Sequence, residues 1–293
     1  VNPEQLARLQ LFASIEGGSA FWSYEIEQHG ASETLDRLLG NHYDEGDHAL
    51  GNIRARILAK SAIERVQEIV QAGAQLISPD DIDWPIQLNE LPAPPIALII
   101  KGDREVLTES ARSLAIVGTR NPTPYGNRIA GDLAAGTVDR DWLVVSGGAY
   151  GIDSMAHQAT LLAGGRTVAF LAGGFEHNYP AGNERLFNEI AETGLLVSEV
   201  MPSVRAEPFR FLTRNRLIAA LSKGTIVVEA AYRSGSLRTA REAAELMRLV
   251  MAVPGPITSP TSEGCHRLIS ERSAELVTSI SEVMELVNPL GSE

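Results

Sequence analysis

Two neighbouring segments of the chain each run an uninterrupted apolar stretch straight into a glycine turn and then a helix start. They are SLAIVGTRNPTPYG (Ser113–Gly126) and WLVVSGGAYGID (Trp142–Asp153). A strand that is apolar at every position, rather than at alternate ones, has to be covered on both faces, which is the condition inside a parallel sheet flanked by helices. The plan recurs along the chain. Apolar runs at Leu114–Val117, Leu143–Val145, Thr167–Leu171, Leu195–Ser198, Thr225–Val228 and Leu249–Val253 predict strands. Helical patterns starting near Pro124, Asp153, Glu184, Phe211, Leu237 and Gly264 alternate with them. Such alternation predicts an α/β fold with a doubly wound, mainly parallel sheet.

Residues 1–75 read differently. Helical spacing of apolar residues covers Pro3–Ala13, Ser32–Leu39 (opened by a Ser cap) and Asn52–Ala72, and predicts a small all-helical domain. Residues 76–112 form a Pro-rich connector. Its Trp84, Ile86 and Leu88 call for burial, and Ile96–Ile100 is its expected strand, the first of the sheet. Residues 113–290 form the sheet domain, and 291–293 a tail. No apolar run approaches the roughly 20 residues of a membrane span. The N-terminus lacks the pattern of a secretory signal, and the single Cys265 offers neither a disulfide framework nor a cysteine zinc site. A cytoplasmic location with no membrane contact is expected.

The net charge of −12 argues against a non-specific nucleic-acid binder, but the charge is uneven. Eight basic residues stand against two acids between Val204 and Arg241, whereas the first 70 residues hold eleven acids and six bases. A local basic patch outweighs the global sum, because salt screens charge beyond about 8–10 Å. Aromatics make up only 5% of the chain, so little surface stacking is expected.

Strand-to-helix turns present backbone N–H groups and the positive end of a helix dipole, and so attract phosphate. Gly118-Thr119-Arg120 is one such turn: the glycine permits close approach and the arginine can fork onto a phosphate. An ordinary turn with an exposed arginine is the plainer reading. Ser146-Gly147-Gly148 is a second turn; Asp153 beyond it reads as a cap on N–H groups, and His157, one turn on, as a packed or surface imidazole, with general acid/base work the alternative. A third loop carries Tyr179, able to stack on a base or pack as a core ring, and Asn183. In FLTRNRLIAAL (Phe211–Leu221), Arg214, Asn215 and Arg216 suggest a phosphate or sugar grip. Ser234-Gly235-Ser236 repeats the strand, small turn and helix plan. Glu229 at a strand tip either fixes its loop or serves as a catalytic acid. Neither G-x-G-x-x-G, a Walker loop, a G-x-S-x-G elbow nor a metal-binding His cluster is present, and no cofactor is expected.

Taken in order, IVGTRNPTPYG, VVSGGAYGIDSMAH, NYPAGNERL, SEVMP, FRFLTRNRLIAAL, VVEAAYRSGSLRTAREA and AVPGPITSPTSEGCHRLI resemble the DNA-processing protein A (DprA/Smf) family over about Leu114–Ile269. The resemblance implies a Rossmann-like sheet domain, preceded by a sterile-alpha-motif-like or helix-hairpin-helix-like module. It further implies a non-catalytic protein that binds single-stranded DNA during natural transformation, loads the recombinase RecA onto it, and forms a homodimer through the Rossmann-like domain. Gly118, Thr119 and Arg120 match the family's phosphate-gripping turn, and Ser146, Gly147 and Gly148 its second loop. Asn183, Asn215, Arg216 and Ser234–Ser236 match further pocket positions. Where many members carry Lys after the Tyr-Pro pair, this chain has Ala181, and Arg185 is the nearest substitute. Many members also append a C-terminal winged helix, for which no room is expected after Val287. The competing enzymatic reading is a nucleotide hydrolase similar to the lysine-decarboxylase-like type, with Glu229 near Ser234–Thr239; its Pro-Gly-Gly-x-Gly-Thr-x-x-Glu signature is not met by SGSLRTARE.

Overall fold

The computed structural model describes residues 2–43 and 48–288; the expected tail at 291–293 lies outside them. Four helices come first: α1 (Pro3–Phe12), α2 (Ala20–Leu39), α3 (His48–Ala59) and α4 (Ala62–Gln71). Strands β1 (Gln75–Ile77) and β2 (Leu98–Gly102) follow. The alternating part then runs β3 (Ser113–Gly118), α5 (Pro124–Val138), β4 (Leu143–Ser146), α6 (Ile152–Leu162), β5 (Thr167–Leu171), α7 (Glu184–Thr193) and β6 (Leu195–Ser198). It continues with α8 (Pro208–Leu221), β7 (Gly224–Val228), α9 (Ser236–Glu245), β8 (Leu249–Ala252), α10 (Glu263–Ser270), β9 (Glu275–Leu276) and α11 (Ile280–Val287).

The nine strands among the described residues form one sheet, in the order β1-β2-β6-β5-β4-β3-β7-β8-β9. From β6 to β9 every pairing is parallel, while β1 and β2 pair antiparallel at one edge. The expected doubly wound sheet is therefore present, with the six expected strands in place. Alternate residues of β3 show why the runs are apolar throughout. Ala115 and Val117 pack with α8, α9 and α10 on one face, and Leu114 and Ile116 with α5, α6 and α11 on the other.

Four local expectations change, one of them the burial of Ile86, which is 74% exposed while Trp84 and Leu88 are buried. The expected strand at Ile96–Ile100 lies at Leu98–Gly102 and is antiparallel to β6. The expected Ser cap at Ser32 is replaced by Glu4, whose carboxylate accepts the N–H groups of Ala31 and Ser32 where Gly30 (φ 78°) interrupts α2. The single pattern over Asn52–Ala72 is two helices, because Ser61 and Glu64 form a reciprocal capping box that starts α4.

The helical segment has its own cluster, built on Leu11, Trp22, Ile26 and Leu38. It is also fastened to the sheet: Leu9, Phe12 and Ile69 share a core with Ile99, Phe187 and Leu196. Polar ties join the same parts. Glu16 pairs with Arg210 at 2.8 Å, and Glu68 accepts the Ser203 hydroxyl at 2.6 Å. Among the described residues no helix is long and apolar enough to cross a membrane.

Candidate nucleic-acid interface

Because β6 to β9 are parallel, the segments leaving their carboxyl ends crowd along one edge. Ligands of open α/β sheets bind at that edge, where the winding reverses. Here β3 lies between β4 and β7, and the reversal falls at β3. The segments after β3, β4 and β7 and the face of α8 enclose a cleft of about 410 Å³. It is lined by Gly118, Thr119, Arg120, Asp153, Phe211, Arg214, Asn215, Arg233 and Ser234–Ser236, among others.

The β3 turn is held rigid from below. A Cβ at Gly118 would collide with the Val228 carbonyl and the Ile152 side chain, so only glycine lets β3 and β7 close up here. Thr119 N–H donates to the Glu229 carbonyl at 2.7 Å. The Glu229 carboxylate accepts the Thr123 N–H (2.8 Å) and the hydroxyls of Thr123 (2.6 Å) and Thr261 (3.1 Å). Thr123 in turn caps α5 through the Gly126 N–H. Buried Glu229 thus clasps its loops, the structural alternative of its two readings. With the turn fixed, Arg120 stands exposed over the Phe211 ring, 5.1 Å from its centre.

The β4 turn contributes differently from what its sequence predicts. Asp153 takes the N–H groups of Gly147 (3.1 Å) and Ala149 (3.4 Å), so those donors are engaged inside the protein, as the capping reading of Asp153 requires. Ser146 is buried and donates to the Ile116 carbonyl at 2.7 Å. Gly148 and Asn183 are tied to each other, Asn183 Nδ2 donating to the Gly148 carbonyl at 2.9 Å and to Ser154 Oγ at 2.8 Å. Of this turn only Ala149 lines the cleft. Its glycines serve packing: a Cβ on Gly147 would occupy the place of the Arg214 guanidinium.

Arg214 is 6% exposed, and its Nη1 donates to the Phe170 carbonyl at 2.8 Å, while Nε has no partner. Burial brings its pKa down to about 10; Asp153 pulls the other way and Arg120 adds to the fall. Burial likewise lifts Asp153 above the usual carboxylate range, against the pull of Arg214 and the two N–H bonds. Among the described residues none of Arg120, Arg214 and Arg233 has a carboxylate oxygen within 4.0 Å. The cleft therefore holds positive charge in short supply of a counter-charge, and an anion entering it would supply one.

The last wall is the β7 to α9 connection. Ser234 and Ser236 hydroxyls share a hydrogen bond of 2.7 Å, Asn215 Nδ2 donates to the Gly235 carbonyl at 3.3 Å, and the ten-residue α9 begins at the cleft. The dipole of α9 adds to the positive potential, while the N–H groups of Ser236, Leu237 and Arg238 are engaged on Ser234 and Gly235.

Several sequence-predicted residues lie elsewhere. Arg216 points to the opposite side of α8 from the cleft, buried in a 2.5 Å ion pair with Glu199. Successive helix residues turn by about 100°, so positions 214 and 216 cannot share one face. Arg185 is exposed on α7, paired with Glu189 at 2.8 Å, and does not line the cleft. Tyr179 lies at the surface against Phe211, ring centres 5.3 Å apart. His157 is fully buried, Nδ1 2.7 Å from Thr167 Oγ1, as a packed imidazole would be. Phe211 and Arg233 line the cleft without having been singled out from the sequence as site residues, and Thr239, named there only with the hydrolase reading, lines it too. Arg233 had a signal, since it immediately precedes Ser234 in the basic stretch; Phe211 had none beyond its helical pattern. Among the described residues no group of His, Cys, Asp and Glu could hold a metal ion.

Fold and cleft together define a doubly wound α/β protein that presents an electropositive groove at the switch point of its sheet. The family model for DNA recombination-mediator protein A matches residues 75–288, and the chain belongs to that family. A relative from Mycobacterium tuberculosis is 42% identical over 273 residues, 89% of this chain and 69% of that protein. The X-ray structure of DNA processing protein A from Streptococcus pneumoniae superposes with a TM-score of 0.82 at 32% identity, covering 97% of each chain. The Helicobacter pylori DNA processing protein A, whose structure was described for its single-stranded DNA binding mode, gives a TM-score of 0.67 at 30% identity. It covers 74% of this chain and 97% of that one.

Proposed function

We propose that the protein binds single-stranded DNA by its phosphates in the groove at the carboxyl edge, and acts as a recombination mediator. The observation that carries this reading is the set of three cleft arginines, Arg120, Arg214 and Arg233, without ion-pair partners beside the N-terminus of α9. The family supports it, as does the single-stranded DNA binding of the H. pylori relative. The net charge of −12 is no obstacle, because the groove is locally basic and charge reach is short. In this reading Gly118 and Ser234–Ser236 shape the floor and Arg120 makes the outermost phosphate contact. Ser146, Gly147, Gly148 and Asn183 support the groove from behind. The buried carboxylate of Glu229 is a clasp, and no reaction is assigned to it. Loading of RecA, a homodimer formed through the sheet domain, and work in the cytoplasm during transformation complete the proposal.

Binding through three cations predicts a log–log salt slope near −2, at about −0.7 per phosphate neutralised on a single strand. Gel shift of an oligo-dT across a salt series reads it. Arg120→Ala is expected to weaken binding about tenfold at low salt and to reduce the slope by about 0.7; unchanged affinity and slope would remove the groove from the reading. RecA filament formation on a long single strand, with and without the protein, tests the mediator role. Light scattering of the free protein tests the homodimer.

A further inference from the structure

Aromatic residues are scarce, yet their exposed members are not scattered. Among the described residues seven aromatic side chains are exposed, and five follow the carboxyl ends of five successive strands of the sheet. In the spatial order β6, β5, β4, β3, β7 these are Phe209, Tyr179, Tyr150, Tyr125 and Tyr232, each between 40% and 53% exposed. Half-buried Phe211 joins the row, with Tyr179 against it and Arg120 over its face. Single exposed rings are ordinary on a protein surface. Five that follow five adjacent strands of one sheet are not, and they reverse the expectation that low aromatic content leaves little surface for stacking.

The rings are held rather than loose. The Tyr125 hydroxyl donates to the Pro254 carbonyl at 2.7 Å, and the Tyr150 hydroxyl accepts the Gly182 N–H at 3.1 Å. Guanidinium groups cover Phe209 (Arg210, 4.9 Å) and Tyr232 (Arg267, 4.8 Å). Pro254 follows β8, so Tyr125 reaches past the β3 turn, and the group is most closely knit where Tyr150 meets Gly182 and Tyr179 meets Phe211. It follows the edge that carries the groove, and Phe211 belongs to both.

We propose that this row is a stacking ledge for unpaired nucleobases, and that the ledge, not the arginine groove, distinguishes single strands from duplex. The proposal rests on the groove reading above. Phosphates are common to both forms of DNA, so cations that grip them discriminate little. Base faces are free only in an unpaired strand, and aromatic side chains stack on any of them without regard to sequence. A strand laid with its phosphates in the groove has its bases beside the ledge.

The test compares three ligands of equal length: oligo-dT, an abasic tetrahydrofuran oligomer with the same phosphates, and duplex DNA. The wild type is expected to bind oligo-dT about tenfold or more tightly than the abasic oligomer. Tyr179→Leu combined with Tyr150→Leu, both exposed and outside the groove lining, keeps apolar bulk but removes two stacking faces. It should erase most of that difference and leave affinity for the abasic oligomer and for duplex within twofold. Tyr179→Leu alone, at an exposed position, should give a smaller loss in the same direction. A 2-aminopurine base in the bound oligomer should show quenched fluorescence with the wild type and recover in the double variant. Equal wild-type affinity for oligo-dT and abasic oligomer, with Arg120→Ala weakening both, would overturn the ledge and leave the groove standing. Failure of the wild type to bind either oligomer, or indifference of both to Arg120→Ala, would overturn the groove and the ledge with it.

Discussion

Arg214 and Arg216 are two residues apart on one helix and do different work. Arg214 lines the cleft with its charge only partly balanced, whereas Arg216 is spent on Glu199 in the interior. Truncating one partner of a buried ion pair leaves the other charge unpaired, at about 3–5 kcal/mol. Arg216→Ala is therefore expected to lower unfolding stability by about that amount in urea denaturation, while the folded fraction keeps its affinity for oligo-dT. Replacing both partners, as in Arg216→Met with Glu199→Leu, should recover most of the loss, since two matched apolar side chains leave no orphaned charge. Affinity falling with Arg216→Ala as steeply as with Arg120→Ala would return Arg216 to the groove.

At the scale of elements, the binding turn is as rigid as the helix behind it. Thr123 is both the N-cap of α5 and a donor to Glu229, so one side chain joins the helix start, the Arg120 turn and the tip of β7. An N-cap threonine contributes about 1 kcal/mol, and a hydrogen bond to a charged group about 1.5–3. Thr123→Ala is expected to cost about 2 kcal/mol in thermal or urea unfolding and to weaken DNA binding severalfold, although residue 123 does not line the cleft. Thr123→Ser, which keeps both bonds, should restore stability and affinity together. The elements themselves were legible in the sequence where strands are uniformly apolar. They were not legible in β1 and β9, which have three and two residues and exist through pairing with a partner strand. The break between α3 and α4 did carry a signal, the Ser61 and Glu64 capping box, but the apolar period that runs through it masks that signal.

The whole molecule sets the environment of His157, which no single element does. Helix α6, β4 and β5 enclose it, and burial, with the Arg214 charge adding, takes its pKa from 6.5 down to about 3. Between pH 3 and 6.5 the unfolded chain binds this proton and the folded one does not. Stability from this group is thus complete above pH 6.5 and is lost as the pH falls through that window. One proton corresponds to about 1.4 kcal/mol per pH unit, so His157 should account for about 2 kcal/mol of lost stability between pH 6.5 and 5. Urea denaturation at the two pH values measures it, and His157→Gln should flatten the difference; an equal loss in the variant would assign it to other groups. At this scale too, Glu16 of the helical segment pairs with both Arg56 and Arg210, so the acidic N-terminal part neutralises some of the basic stretch that the sequence suggested was free.

By itself the sequence determined the layered sheet, its carboxyl-edge loops and the family. These follow from signals carried by neighbouring residues: apolar runs, turn glycines and motif order. Only the tertiary structure decided which charged side chains remain available to a ligand. Glu199 lies seventeen positions before Arg216, and Glu16 is farther still from Arg210. The β4 turn donors are taken by Asp153, and the exposed rings gather along one edge only when five strands stand side by side. A residue's type states what it can bind; what is already bound to it depends on contacts between distant parts of the chain, which a linear order does not contain.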